Sequence, residues 1–115
     1  MNDEEKKALP KNEAIELLKG LQGTKSVVVP VVIDGTKVHD GVTFDVSLAD
    51  YNKFINASQT GKISPTASAK DFLMHTAIKK DRDFLQELLK VPGMLDFAMG
   101  KVIKAVAPEV SSTLD

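Results

Sequence analysis

Apolar positions follow two periods along this chain: they alternate between residues 42 and 46, and from residue 65 onward they recur at helical spacing. The helical stretch, Ser64 to Val110, holds most of the large apolar side chains and is the expected core. Pro65 and Thr66 start a first helix over 67–79, with Thr66 or Ser68 able to accept a bond from an orphan amide. Its apolar series is Phe72, Leu73, Thr76 and Ala77, while Met74 and Ile78 stand nearly opposite. Such a helix is central in a bundle or covered by something outside the chain. A second helix counts from Asp81: Phe84, Leu85, Leu88 and Leu89 fall within about 140° of arc, opposite Arg82, Asp83, Gln86, Glu87 and Lys90. Pro92 suits the first turn of a third helix, about Gly93 to Val106, which Ala107-Pro108 ends.

In that third helix Leu95, Ala98, Met99, Val102 and Val106 share one face, and Phe97 points to the other among Asp96, Gly100, Lys101 and Lys104. Two readings fit Phe97: another segment covers it as ordinary core, or it is an exposed aromatic on a basic, partner-binding face.

Before the helical stretch, residues 1–10 are mostly charged and read as a loose tail. Lys11 to Lys19 reads as a short helix with Asn12 as cap, Ile15, Leu17 and Leu18 on its apolar side, and Gly20 at the stop. A helix this short is marginal in water and needs docking. Val27 to Ile33 is strand material, and Asp34-Gly35 is a hairpin turn signal. Pro30 places that strand at an edge or at a bulge. A second Asp-Gly at 40–41 interrupts the return arm, so one long bulged strand or two short ones satisfy the pattern. Val42, Phe44 and Val46 mark its last piece as half-buried strand.

Ser47 with Asp50 three residues on is a capping box opening a helix over 47–57, whose stripe is Leu48, Tyr51, Phe54 and Ile55. Residues 57–64 are a polar linker. The expected class is α+β: a small antiparallel hairpin or sheet of two to three strands, then a bundle of about four short helices, with a short N-terminal helix. Residues 1–26 form the charged tail and first helix, 27–110 a single domain (hairpin 27–46, helix 47–57, three-helix region 65–107), and 111–115 a C-terminal tail.

Composition narrows the function classes. Hydrophobic residues make up 43% of 115, enough for one domain with a modest core and outside the range of disorder. The formal charge of -1 gives no general pull toward nucleic acid or an anionic membrane surface. Without cysteine there is no disulfide framework, thiolate zinc site or thiol nucleophile. The apolar runs are too short to span a bilayer and the first ten residues are charged, which points to a cytoplasmic protein.

No catalytic or ligand-binding pattern emerges. Gly20 to Ser26 lacks the spacing and element order of a phosphate-binding loop. His39 and His75 show no metal-ligand spacing, and Asp34, Asp40, Asp45 and Asp50 lack the ligand order of a calcium loop, leaving turn and cap roles. No serine sits in a nucleophile elbow. The cluster Lys79-Lys80-Asp81-Arg82 is diluted by acid and reads as a solvated helix junction. No enzyme, cofactor or metal is expected.

A series of short fragments carries more information: Ile33-Asp34-Gly35, then Val42 to Val46, Asp50 to Asn56, Ser64-Pro65 leading to Asp71 to Met74, Leu88-Leu89 with Pro92-Gly93, and Ala107 to Val110. In this order they resemble a family of tail assembly chaperones from long-tailed bacteriophages and prophages, over roughly residues 27–110. The first two dozen residues read as an extension, and Lys37 to Gly41 as an insertion in the hairpin.

The resemblance implies a non-enzymatic protein that keeps the tape measure protein soluble in the bacterial cytoplasm, helps recruit tail-tube subunits and is absent from the finished virion. A homo-oligomer is a further expectation. Met74, Met94, Phe97 and Met99, with Lys101 and Lys104, are the candidate partner-binding residues, because thioethers repack at low cost against a client. The alternative is a structural or regulatory phage adaptor carried in the virion.

Overall fold

A computed structural model of the chain describes residues 8–108; all but the last three residues of the charged tail expected over 1–10, and the C-terminal tail over 111–115, lie outside the described residues. The order of elements is α1 (Lys11–Gly20), β1 (Lys25–Ile33), β2 (Thr36–Val46), α2 (Leu48–Thr60), α3 (Pro65–Thr76), a single 3-10 turn at Lys79–Asp81, α4 (Arg82–Leu88) and α5 (Met94–Val106). The architecture is α+β, as expected.

β1 and β2 form a two-stranded antiparallel sheet. Asp34 and Gly35, with φ of 50° and 80°, make the tight turn whose twist suits a hairpin. The return arm is one long strand. Val29 faces Val42, Val31 faces His39 and Val32 faces Lys37, so β2 spends one more residue than β1 at each of these two steps. Both extra residues fall within Lys37 to Gly41, and the bulge opposite Pro30 accommodates a residue that cannot donate to a ladder. Gly41 is required here: a Cβ on it would overlap the Val28 side chain.

Alternation sorts the hairpin into two faces. Val27, Val29, Val31, Val42, Phe44 and Val46 point inward and are buried with Phe72, Leu73, Ala77, Leu85, Leu88, Ala98 and Val102. Helix α5 packs on β1, α3 packs on β2 and α5, α4 packs on α3, and α2 rests on α3. The free edge of β2 is closed at Thr43, whose carbonyl accepts the Ile78 amide at 2.9 Å. The Thr43 amide donates to Asp81 Oδ2, also at 2.9 Å. Both Thr43 backbone groups thus point away from β1, so those of the facing Val28 point off the opposite edge. Pro30, two residues on, offers that edge no donor.

Helix boundaries follow local chemistry and correct several expectations. Ser64, not Thr66 or Ser68, caps α3, accepting from the Ala67 amide at 3.0 Å. Pro65 fills the first helical position, where a missing N–H costs nothing. The helix stops at Thr76 rather than Lys79, because Ala77 turns extended and bridges to Phe44. Pro92 precedes α5 instead of opening it: the Met94 amide donates to the Val91 carbonyl at 3.1 Å, and Gly93 has φ 84°, the turn that proline followed by glycine favours. The Ser47–Asp50 capping box forms in full. α2 then runs to Thr60 and shortens the linker, ending at Gly61 with φ 71°. In α1, Pro10 and not Asn12 holds the cap position, and no side chain caps it.

The stripe of α2 is only partly covered: Tyr51, Phe54 and Ile55 are half-buried and Leu48 is exposed, because α2 has α3 alone as its main support. Helix α1 has no buried residue, and among the described residues no element packs extensively along it. The Cα radius of gyration, 17.4 Å, exceeds the roughly 13 Å of a compact domain of about 100 residues.

Candidate functional site

Five of the six candidate residues lie on α5. Ala98 and Val102 hold the helix against the core, with Leu95, Met99, Ile103 and Val106 partly buried beside them. Met94 and Phe97 are partly buried too, and the Lys101 ammonium stands 5.9 Å from the Phe97 ring centroid. Phe97 is thus neither sealed core nor free surface: part of its ring packs inward while a cation covers another part. Lys101 and Lys104 are exposed. Met94 and Phe97, bordered by Lys101 and Lys104, form a half-covered row on one side of α5, and Met99 lies on the other, beside the core-facing stripe.

Met74, the sixth, lies apart from that row, in a groove between α2 and α3. Phe54 on α2 meets Phe72 on α3 with ring centroids 5.1 Å apart. Ala57 and Ile63 complete the apolar lining, Ser68 adds a hydroxyl to it, and Asp50, Lys53, Asp71 and His75 supply its charged or polar rim. The groove encloses about 320 Å³. Ser68 is 3% exposed and its Oγ meets no hydrogen-bond partner among the described residues. At one end, His75 Nε2 lies 3.2 Å from Asp50 Oδ1. Burial pushes the Asp50 carboxyl upward, but the Ser47 hydroxyl and amide, together with His75, outweigh it and hold the pKa below the usual carboxylate value.

The other histidine is structural. His39 is half-buried: its Nδ1 accepts the Gly41 amide at 2.9 Å. The proton therefore sits on Nε2, 3.4 Å from Asp81 Oδ1, and the ring stacks tilted on Phe84 at 4.5 Å. Asp40 pairs with Lys37 instead, whose hydrogen bond and charge lower its pKa. Among the described residues no cluster of His, Cys, Asp or Glu can hold a metal ion, and no helix is long and apolar enough to cross a membrane.

The large apolar side chains left exposed lie mostly away from α5. They include Leu9, Ile15, Leu17, Leu18 and Leu21 along and beside α1, Val28, Val32 and Val38 on the outer face of the hairpin, and Leu48, Ile63 and Val91. A stripe without a partner is invisible in an amphipathic pattern, which reports which face is apolar and not what covers it.

Comparison with known proteins decides the family. The family described as phage tail assembly chaperone matches residues 29–114, most of the chain. This chain belongs to that family. Neither a curated protein nor a solved structure matches it. A tail assembly chaperone acts non-enzymatically, by binding tail proteins. The match begins inside β1, so α1 and the loop after it stand outside the shared region.

Proposed function

We propose that this tail assembly chaperone binds the tape measure protein in the cytoplasm of the bacterial host, holds it in solution and helps recruit tail-tube subunits, leaving before the virion is complete. The family match over residues 29–114 carries this reading. The α5 row supports it physically. Met94 and Phe97 are half-covered, so they offer apolar area to a long helical client at little cost in exposed grease, and a thioether adapts to a client without one fixed sequence. Lys101 and Lys104 beside them favour clients with acidic residues along the same face. Partial burial limits the area each client segment covers, which keeps binding weak enough for tube subunits to displace the chaperone.

Co-expression with the tape measure protein of the same phage tests the proposal. The expected result is a several-fold rise in soluble tape measure protein with the chaperone bound to it, and purified virions free of the chain. Unchanged solubility, or stoichiometric chain in virions, favours an adaptor carried in the particle.

A further inference from the structure

We propose that the chain beyond Pro108, beginning Glu109-Val110, folds back over a recess between the ends of α1, β2 and α5, with Val110 as its plug. The inference does not rest on the tape measure reading, because it follows from where α5 delivers the chain.

The recess encloses about 290 Å³. Five elements meet there: Leu21 just after α1, Lys25 opening β1, Val46 ending β2, Leu48 and Tyr51 on α2, and Pro108 after α5. Its apolar walls are open, with Leu48 52% and Leu21 38% exposed. Unlike the groove between α2 and α3, this recess has a segment of the chain leading into it. The Lys25 ammonium donates to the Val106 carbonyl at 3.1 Å, which pins the last turn of α5 to the wall. Ala107 then turns extended, with φ −79° and ψ 134°, as a residue before proline prefers. Pro108 itself lines the recess.

In an extended chain, residues two apart face the same side. The direction set at Ala107 therefore carries Val110 to the side of Pro108, at most about 7 Å further along. A tether this short holds Val110 at the recess at an effective concentration on the order of millimolar, which a second copy at working concentrations does not match.

Charge agrees with this occupant. A lysine ammonium has three donors, and Lys25 spends one on Val106. Among the described residues no carboxylate pairs with it, and Glu109, next to Pro108, supplies one. The family match adds weight of its own. It runs over residues 29–114, so the residues that follow α5 lie within the shared region, whereas α1 lies outside it.

Tyr51 provides the test. It is the one tyrosine of a chain without tryptophan, so tyrosine fluorescence reports on the recess alone. In the full chain, Val110→Asp should raise the acrylamide quenching of Tyr51, and Val110→Ile should not. Position 110 lies beyond α5, so far-UV circular dichroism should be unchanged by either. The chain has no cysteine, which allows a second, independent measurement. A chain carrying Leu48→Cys with Val110→Cys should close a disulfide on mild oxidation and keep the mass of one chain. Ile63→Cys, past the far end of α2, combined with Val110→Cys should stay reduced. Quenching that Val110→Asp leaves unchanged overturns the proposal. So does a chain with Leu48→Cys and Val110→Cys that stays reduced or links only to a second chain.

Discussion

Asp81 accepts the backbone amide of Thr43 at 2.9 Å, tying the turn before α4 to the free edge of β2 across 38 residues of sequence. The carboxylate is 4% exposed and its other oxygen faces His39 Nε2. One buried side chain thus closes a sheet edge, positions the bulged arm and joins the helical half to the hairpin. Asp81→Ala strands the Thr43 donor and should cost about 2–3 kcal/mol in urea unfolding. Asp81→Asn keeps an acceptor and should cost less. Equal losses would mean that the negative charge of the carboxylate facing His39, and not the amide bond, carries the effect.

The bulge makes a second prediction. A Cβ at position 41 collides with the Val28 side chain, so Gly41→Ala should cost about 1–2 kcal/mol, the range for modest overpacking. Val28 is exposed, and Val28→Ala alone should cost little. The double variant should recover most of the loss, a coupling that a double-mutant cycle measures directly.

Acid should loosen α2. The folded pKa of Asp50 lies below its ordinary value. Its stabilisation is therefore fully present above the pKa of the unfolded carboxyl and drains away as pH falls through the lower, folded value. Ser47→Ala removes the cap, should lower stability by about 1 kcal/mol at neutral pH, and should flatten the acid limb of the stability curve. The readout is denaturant unfolding from neutral pH down through the carboxylate range.

These sites also show how far pattern carries. The hairpin turn at Asp34-Gly35, the Ser47–Asp50 box and Pro65 at a helix start were legible because each signal is contained within a few residues. Asp81 was readable as the start of a helix in a solvated junction, yet its carboxylate is buried. Its bonds go to Thr43 and His39, which no local period connects to it. The α2 stripe was found correctly as apolar, yet its burial depended on how many elements reach it, and only α3 does so to any extent. Lys37 to Gly41 was readable as an insertion, while its resolution into two bulges depended on the strand opposite. Of the candidate site, the α5 row followed from residue type, whereas the groove around Met74 and the orphan Ser68 hydroxyl arise from two helices meeting.

Phe97 separates stability from binding. Because its ring is half-covered and packed on the core, Phe97→Ser should cost about 1–2 kcal/mol, short of the ~3 kcal/mol or more of a fully buried aromatic. Phe97→Leu should restore most of that. If the α5 row grips the client, Phe97→Ser should weaken tape measure binding by more than the fraction unfolded accounts for.

The most direct measurement is the soluble yield of the tape measure protein expressed with wild-type chain, with Phe97→Ser and without the chain. The account predicts a several-fold gain with wild type and its substantial loss with the variant, at equal chaperone levels. A yield that is the same in all three samples contradicts it.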